Sequence, residues 1–342
     1  MQICYFGIYG SWYARNAVLI SGLKKNGAEV IECNVNDRER FKNWKLFREY
    51  FRIGRKCDVM VVGFSGHTIM PLAWALTRFP RKKIILDGFT SWYDANILDR
   101  KKHSVMSPAA IKYWAVDWLA FHLADVVLFD SRAHCRYISD KFNLRKDKLK
   151  AILVGCPDDV IHPMSQQKKI KDFLVHFHGT YIPVQGVPYI IEAAGHLRDE
   201  GVVFNIIGKL GTYKEAISLA EKLKLKNVNF IDFMPYATLA EYMASADICL
   251  GMFGTSARAM YCGAFKVVEG LAMGKAVVTA RTPAMEEFLV DRESVLFSKI
   301  GNSRDLADKI LELKNNLELR NKVAENGYKV YQAKLRPEVL GR

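Results

Sequence analysis

The stretch GAFKVVEGLAMGKAVVTA, residues 263–280, decides the predicted fold of this chain. It is a helix-forming run that carries Glu269, ends at a Gly-Lys pair and passes directly into the β-branched strand AVVTA. A carboxylate in the first turn of a helix that faces the carboxyl end of a parallel sheet lies where nucleotides bind, and it suits the two hydroxyl donors of a ribose. The alternative is a solvated Glu that the helix dipole stabilises.

Strand-like and helix-like patterns alternate along the whole chain. The strand-like runs lie at 2–7, 28–34, 58–63, 82–87, 125–129 and 149–153 in the first half, and at 172–178, 203–208, 228–231, 247–251, 276–280 and 294–297 in the second. One long helical pattern follows at 303–332. Such alternation predicts parallel sheets with right-handed crossovers. The segment 154–169 has two prolines and little periodicity, so we expect a linker between two doubly wound α/β domains, residues 1–163 and 164–342, that face a cleft.

Composition places the chain among ordinary globular proteins. It has 342 residues, of which 50% are apolar, and a mean hydropathy near zero. We find neither a run of 18 apolar residues nor a basic, cleavable amino terminus, so we expect a protein that neither spans a membrane nor is secreted by a classical signal. The seven cysteines are scattered and form no CxxC, which predicts the reduced thiols of a cytoplasmic protein.

Glycine-rich turns follow predicted strands in both halves. They are GIYG at 7–10, HGT at 178–180 and GKLG at 208–211, and they contribute the candidate binding residues Gly10, Gly179, Thr180 and Lys209. Backbone N–H groups in such turns can approach an anion. The spacing is not GxGxxG, so no dinucleotide fingerprint is supported. Two sets of turns facing one cleft beside Glu269 predict a nucleotide with a diphosphate as the ligand.

The same residues resemble a known family, the retaining glycosyltransferases of family four, also called group 1 type. The resemblance covers nearly the whole length and is carried by VVLFDSRAHCRYI at 126–138, LVGCPDDVIHP at 153–163, SADICLGMF at 245–253 and FKVVEGLAMGKAVVTA at 265–280. It implies the GT-B architecture, in which two Rossmann-like domains face a cleft. It also implies an acceptor-binding first domain, a nucleotide-sugar-binding second domain, and transfer that needs no metal or other cofactor.

Four positions carry the comparison with the family's donor site. Glu269 matches the family's Glu that holds the donor ribose. The other Glu of that motif falls at Tyr261, and the Arg and Lys that clamp the diphosphate fall near Thr180 and Gln185. Other cations must then neutralise the leaving group, because its charge grows as the glycosidic bond breaks.

Two cations near Glu269 are the candidates for that role, with Lys209 as an outside option. Arg258 is one, and its alternative is an exposed loop cation. Lys266 lies one helical turn before Glu269, and its alternative is an intrahelical pair between the two at i,i+3.

The first half offers three further candidates. Arg15 follows the first glycine turn, where it would reach the acceptor or the β-phosphate or else be a surface helix cation. His67 in GFSGHTIMP would orient a sugar hydroxyl or relay a proton, its alternative being a hydrogen-bonded structural histidine. Asp87 ends a predicted strand close to where many family members have a His in contact with the donor sugar, so its position alone makes it a catalytic candidate.

A basic and aromatic segment at 38–56 is the second signal. Phe41, Trp44, Phe47 and Phe51 recur at steps of three and four, and the segment carries eight Lys or Arg against two Glu. Residues 1–163 carry 26 Lys and Arg against 16 Asp and Glu, an excess of ten positive charges. The segment is either an ordinary helix whose aromatic face packs on the sheet or an interfacial helix on an anionic membrane surface, with FPRKK at 79–83 and DRKKH at 99–103 extending the basic patch.

The combined prediction is a glycosyltransferase that moves a sugar from a nucleotide-sugar donor, UDP-sugar first and GDP-mannose second, with retention of configuration. The acceptor is a lipid-linked or membrane-held glycan, and the enzyme is cytoplasmic and peripheral at the inner face of the membrane. The alternatives are a sugar-nucleotide epimerase of GT-B fold and a basic nucleic-acid-binding protein, although no nucleic-acid-binding module is recognised. A glycosyltransferase-like scaffold without activity is the third.

Overall fold

A computed structural model of the protein describes residues 1–10, 13–35, 40–165 and 172–342. The chain divides into two compact units, Met1–Pro157 together with Arg336–Arg342, and Asp158–Leu335. This division differs from the predicted boundary after residue 163, and the last seven residues belong to the first unit. Asn26 holds them there, since its side-chain amide donates to the backbone carbonyl of Glu338 at 2.7 Å. Residues 38–39 of the basic segment and 166–169 of the predicted linker lie outside the described ranges.

The first unit is built on a six-stranded parallel sheet. Its strands are β1 (Gln2–Gly7), β2 (Glu29–Asn34), β3 (Val59–Val62), β4 (Lys83–Asp87), β5 (Val126–Phe129) and β6 (Leu149–Ala151), in the order β2-β1-β3-β4-β5-β6. Its helices are α1 (Ala14–Lys25), α2 (Lys42–Glu49), α3 (Met70–Leu76), α4 (Pro108–Leu123), α5 (Arg132–Phe142) and the C-terminal α13 (Pro337–Leu340). The six strands predicted from this half are thus confirmed.

The direction of each crossover decides which face of this sheet a helix covers. The connections through α2, α3, α4 and α5 all cross the sheet in one direction, whereas the connection through α1 runs the other way. Right-handed crossovers therefore place α2–α5 on one face and α1 on the opposite face. The buried side chains agree: Leu46, Met70 and Phe121 share one core, while Leu19 and Ile20 belong to another.

The second unit has the same architecture with a different strand order. Its strands are β7 (Phe173–His178), β8 (Val202–Ile207), β9 (Val228–Ile231), β10 (Ile248–Leu250), β11 (Ala276–Ala280) and β12 (Leu296–Ser298), in the order β12-β11-β10-β7-β8-β9. Its helices are α6 (Val187–His196), α7 (Tyr213–Lys222), α8 (Tyr236–Ser245), α9 (Phe265–Ala272), α10 (Pro283–Glu286), α11 (Ser303–Asn315) and α12 (Leu317–Lys334).

The predicted helical stretch 303–332 is two helices rather than one. Asn316 separates α11 from α12, and its side chain caps the second helix by accepting a hydrogen bond from the backbone N–H of Leu319. The Asn side chain competes with continuous helix at this position, because it satisfies one of the N–H groups that a helix start leaves free.

The strand order of the second unit indicates where a ligand would bind. Its first strand, β7, lies between β8 and β10, whose connections leave in opposite directions. Counted within the unit the order is that of a Rossmann fold, and ligands of such sheets bind at the carboxyl ends of the strands where the order reverses. In this unit those ends are His178 on β7 and Leu250 on β10.

Candidate active site

Glu269 lies inside the second unit, close to that reversal point. Helix α9 begins at Phe265, so Glu269 is in its second turn and not in the first turn as predicted. Its side chain is 3% exposed, which excludes the solvated alternative. A Cβ atom on the following residue, Gly270, would lie 2.7 Å from a methyl group of Val277 and 3.0 Å from Cβ of Cys249. The glycine therefore lets α9 pack closely on β10 and β11, and this approach brings Glu269 to the strand ends.

Both carboxylate oxygens of Glu269 accept hydrogen bonds. His178 Nε2 lies 2.7 Å from Oε2, and the Tyr236 hydroxyl at the start of α8 donates to Oε1. Burial alone would raise the pKa of Glu269, but His178 and the hydrogen bonds from His178 and Tyr236 outweigh it and hold the pKa below its usual value. Glu269 is consequently a buried, ionised hydrogen-bond acceptor.

A second histidine, His176, contacts the ring of His178. His176 and His178 lie two residues apart on β7, so their side chains share one face of the sheet. The Nε2 atom of His176 is 2.9 Å from Nδ1 of His178. Burial, followed by the proximity of His178, lowers the pKa of His176 well below its usual value, so this imidazole is neutral.

Lys266 is a buried cation one helical turn before Glu269. Its side chain is 7% exposed and its Nζ atom lies 5.5 Å from the centre of the Phe177 ring. Burial lowers its pKa to about 8, although Glu269 and Cys262 oppose the shift. Among the described residues no ion pair joins Lys266 to Glu269, whose partner is His178, so the predicted alternative of an intrahelical pair does not form. Lys266 is thus held largely out of water without a direct ion-pair partner in the described part of the chain.

The loops after β7 and β8 are fixed against each other by glycines. Gly208 has a φ of 125°, which favours glycine, and a Cβ atom there would collide with the carbonyl oxygen of Gly179. The side chain of Gln185 accepts a hydrogen bond from the backbone N–H of Tyr181 at 2.9 Å. Gln185, which stands where the family has a diphosphate-binding cation, therefore stabilises the loop that contains Gly179.

The remaining residues predicted to bind the donor have no contact with Glu269 among the bonds described above. Arg258 is partly buried in the short helical turn Ala257–Met260, and Tyr261 just after it is 5% exposed. Thr180 is partly buried in the loop after β7. Lys209 is exposed and forms a surface ion pair with Asp232 at 3.2 Å. The structure brings Glu269, His178, Tyr236 and Lys266 together, whereas Lys209 is committed to another partner.

Comparison of the sequence with known proteins identifies the family of the unit that contains this site. The sequence profile described as Glycosyl transferases group 1 matches residues 161–330, which is nearly all of the second unit. Through its second unit, this chain belongs to the group 1 glycosyltransferases. The match confirms the family and the enzyme class that the sequence predicts.

Comparison with two curated relatives and a solved structure extends the match beyond the second unit. An uncharacterized glycosyltransferase of Methanocaldococcus jannaschii is 29% identical over 151 residues, which are 44% of this chain and only 41% of that relative. A second one from the same organism is 22% identical over 83% of this chain and 72% of its own length. The crystal structure of Anabaena Alr3699/HepE in complex with UDP-glucose has a TM-score of 0.73 at 16% identity, covering 100% of this chain and 97% of that one. The predicted GT-B fold of two Rossmann-like parallel-sheet domains is therefore confirmed.

In the first unit, Arg15 and Asp87 form a buried ion pair. Arg15 Nη2 lies 3.0 Å from Asp87 Oδ1, Nε bonds both carboxylate oxygens, and Nη1 donates to the backbone carbonyls of Ile152 and Leu153. The exposed fractions of the two side chains are 1% and 0%. Arg15 is therefore neither a surface cation nor free to reach a phosphate. Asp87 anchors Arg15, and this pairing does not support the catalytic role assigned to Asp87 from its place after the strand.

His67 is also buried. It is 1% exposed, and its ring lies 5.4 Å from Trp92 and 5.6 Å from Phe121, measured between ring centres. Neither ring nitrogen has a hydrogen-bond partner among the described residues, and Nε2 lies 3.8 Å from Asp117 Oδ1. Burial lowers the pKa of His67 to about 3, so the ring is neutral. The structure gives His67 an aromatic packing position instead of the open place at a cleft that catalysis would need.

Gly10 lies at the start of α1, as the turn at residues 7–10 predicts. Its carbonyl oxygen accepts from the backbone N–H of Tyr13 at 3.1 Å, and the helix begins at the next residue, Ala14. The Asn34 side chain fixes the turn by bonding both the N–H and the carbonyl of Tyr9. Residues 11–12, between the turn and the helix, lie outside the described residues, so an anion site at Gly10 stays a prediction.

The aromatic residues of the basic segment lie on the surface. Phe41, Trp44 and Phe51 are 69%, 60% and 48% exposed, and Phe47 stacks between Trp44 and Phe51 with ring centres 5.3 Å and 4.9 Å away. The residues that anchor this segment to the unit are instead Leu46 on α2 and Tyr50, which begins a π-helical turn, Tyr50–Gly54. The aromatic face therefore does not pack on the sheet.

Sequence reasoning missed His176, His178 and Tyr236 as site residues. The pattern FLVHFH at 173–178 contained a signal, because two histidines at i,i+2 in an otherwise apolar strand must share a face and need a reason to be buried. Tyr236 gave only a weak signal, as a polar aromatic residue directly after Pro235 at a helix start.

Proposed function

We propose that this protein transfers a sugar from a nucleotide-sugar donor to an acceptor held at an anionic membrane surface, with retention of anomeric configuration. The first candidate for the donor is a UDP-sugar and the second is GDP-mannose. The proposal is carried by one observation: an ionised Glu269 and the cation of Lys266, both buried, lie on one helix beside the strand ends where Rossmann-type sheets bind nucleotides. The Anabaena protein of the same fold has been crystallised with UDP-glucose, which agrees with a nucleotide-sugar donor.

The two side chains suit different parts of such a donor. Glu269 offers carboxylate oxygens to the ribose hydroxyls, and Lys266 offers an ammonium group to the diphosphate. During transfer the bond between the anomeric carbon and the β-phosphate oxygen breaks, and its electron pair stays on the phosphate. The acceptor oxygen forms the new bond to the anomeric carbon on the same face, and its proton passes to the oxygen of the leaving phosphate. A cation that meets this growing negative charge in a water-poor site stabilises the transition state more than the ground state.

Arg258 is proposed as a second cation for the diphosphate, because Thr180 and Gln185 leave that role open. We also propose that no metal ion takes part. Among the described residues no group of three or more His, Cys, Asp or Glu side chains is arranged to hold one. Chelation with EDTA tests this directly, and loss of turnover that added Mg²⁺ restores would contradict it.

The surface of the first unit supports the membrane-held acceptor. Besides Phe41, Trp44 and Phe51, the apolar side chains Phe79 and Ile111 are 94% and 65% exposed. They lie on or beside α2–α4, the helices that cover one face of the sheet, and two of the rings contact a cation, with Arg40 over Phe41 and Arg55 over Phe51. Exposed apolar patches within a basic surface are typical of interfacial binding to anionic lipid. No helix in the described part of the chain is both long and apolar enough to cross a bilayer.

A panel of nucleotide sugars in a thermal-shift assay tests the donor, since a ligand that binds only the native state raises the unfolding midpoint. Glu269→Gln should remove the shift, and Glu241→Gln, at an exposed position of α8, is the matched control. Sugar transfer to a lipid acceptor in vesicles then tests the reaction. Conversion of the donor with no acceptor present would instead indicate an epimerase, and binding of nucleic acid without any nucleotide sugar would overturn the proposal.

A further inference from the structure

Two imidazoles occupy a place on β7 where apolar side chains would be expected. β7 is an interior strand, paired with β8 and β10, and His176 is 1% exposed. A buried imidazole without a function is unfavourable, because it gives up hydrogen bonds to water that an apolar side chain never makes. The pair therefore points to a role beyond filling the sheet.

The hydrogen atoms along this pair can be assigned from their partners. Glu269 is ionised and can only accept, so His178 Nε2 carries the proton in the 2.7 Å bond to Oε2. Neutral His176 has a single N–H. If this proton is on His176 Nε2, it forms the 2.9 Å hydrogen bond to His178 Nδ1. If it were on His176 Nδ1, it would have no partner among the described residues. The hydrogen bonds thus run from His176 to His178 and on to Glu269.

The number of acceptor positions left on Glu269 fits a diol. A carboxylate offers about four lone-pair positions, two on each oxygen. His178 uses one on Oε2 and Tyr236 uses one on Oε1. One position on each oxygen is left, which matches the two adjacent hydroxyls of a ribose.

We infer that His178, oriented by His176, is a positioning residue that holds the Glu269 carboxylate in the orientation that accepts both the 2′- and 3′-hydroxyls of a nucleotide ribose. The site then selects ribonucleotides over 2′-deoxyribonucleotides. The inference rests on the proposed function, because a nucleotide donor is what brings a ribose to Glu269. Tyr236 fixes the second oxygen in the same way.

The test is calorimetric binding of UDP and 2′-deoxy-UDP to the full chain, with GDP and 2′-deoxy-GDP if the uridine pair does not bind. We expect wild type to favour the ribose form by about tenfold or more, as for a hydrogen bond to a charged group. His178→Leu, which has no donor, should lose most of this preference. His178→Gln keeps an amide donor near the position of Nε2 and should retain more of it. Unfolding midpoints of both variants identify any loss that is due to misfolding.

A purely structural His178 would weaken both nucleotides equally and leave their ratio unchanged, which would overturn the inference. If Glu269→Gln abolishes the preference while both His178 variants keep it, the donor site stands and the positioning role fails. If wild type binds no nucleoside diphosphate, the proposed function fails together with the inference. Nitrogen-15 chemical shifts of the unliganded protein separately test the direction of the hydrogen bonds from His176 to His178 to Glu269. A proton on Nδ1 of His176 would contradict that direction.

Discussion

The Glu269 carboxylate lies 2.7 Å from His178 Nε2, although 91 residues separate the two along the chain. This bond ties helix α9 to the end of β7 and satisfies the carboxylate. Lys266, on the same helix, keeps no ion-pair partner among the described residues and is buried, with an exposed fraction of 7%. The hydrogen bonds stabilise the Glu269 anion, whereas the buried Lys266 cation lowers the stability of the folded state. The free energy of unfolding of suitable variants measures this cost.

We expect Lys266→Met to stabilise the fold while it weakens binding of nucleoside diphosphate. The pKa of Lys266 falls from 10.5 to about 8 on folding, so the charged form destabilises the folded state fully at pH below about 8, and this penalty disappears as the pH rises towards 10.5. At about 1.4 kcal/mol per pKa unit, removal of the charge should raise the free energy of unfolding by roughly 1–3 kcal/mol. Urea unfolding at pH 7 measures it. A destabilised variant with unchanged nucleotide affinity would show that Lys266 is merely structural.

Binding of nucleoside diphosphate should weaken as the pH rises above about 8. Lys266 carries its charge below this pKa and loses it above, so affinity should fall by up to about tenfold per pH unit once the proton is lost. Calorimetry between pH 7 and 9 measures the change. Lys266→Arg is the control, because a guanidinium remains charged throughout and should give a flat profile. The same slope in both proteins would assign the pH dependence to another group.

Gly270→Ala should destabilise the second unit by about 1–3 kcal/mol, as overpacking does in a filled core. The new methyl group would lie 2.7 Å from the Val277 side chain and 3.0 Å from Cβ of Cys249, forcing α9 away from the sheet. Gly195→Ala in α6 is the matched control, because its nearest contacts would be 3.6 Å and alanine favours helix by up to about 1 kcal/mol. Equal unfolding free energies for the two variants would contradict the close packing described for α9.

Arg15→Met should destabilise the protein by about 3–5 kcal/mol, because it leaves the Asp87 carboxylate buried without its partner. The double variant Arg15→Met with Asp87→Leu removes both charges and should recover much of that loss. If Asp87 is structural, the double variant still transfers sugar. Loss of turnover in a double variant with wild-type stability would return Asp87 to the catalytic role suggested by its sequence position.

Attraction to anionic vesicles should depend on salt and on α2 with the turn that follows it, residues 42–56. Changing Arg48, Arg52, Arg55 and Lys56 to Glu should abolish flotation with anionic liposomes, as should replacement of Trp44 and Phe51 by Ser. Four exposed lysines of the second unit, Lys214, Lys222, Lys224 and Lys226, changed to Glu, are the charge-matched control. Binding of the wild type should decline towards 1 M salt, where the screening length is about 3 Å. Equal recovery with neutral and anionic vesicles would remove the membrane from the proposal.

The alternating pattern of the chain was sufficient to predict twelve strands in two all-parallel sheets. A buried parallel strand needs a continuous apolar run, and AVVTA at 276–280 or QICYFG at 2–7 can satisfy that need locally. The family followed from the 265–280 stretch for the same reason, because helix α9 and strand β11 are contiguous in sequence. Glu269 is therefore identifiable as a site residue from its sequence neighbours alone.

Pairings between distant residues could not be predicted in this way. Arg15 and Asp87 are 72 residues apart. The sequence suggested two separate site residues, whereas in the fold they form one buried ion pair. The exposed aromatic face of α2 was equally compatible with packing on the sheet, since a period of 3.6 residues shows that one face is apolar but not what covers it.

What the sequence by itself determined is the set of elements, their parallel arrangement, the family and the ribose-binding candidate, since each depends on neighbours within a short stretch of chain. What only the tertiary structure decided is which charges are paired: His178 pairs with Glu269 and Arg15 with Asp87, while Lys266 has no direct ion-pair partner among the described residues. The physical reason is that burial and hydrogen bonding set the state of an ionisable group, and both arise from segments that meet only when the strands of a sheet are assembled.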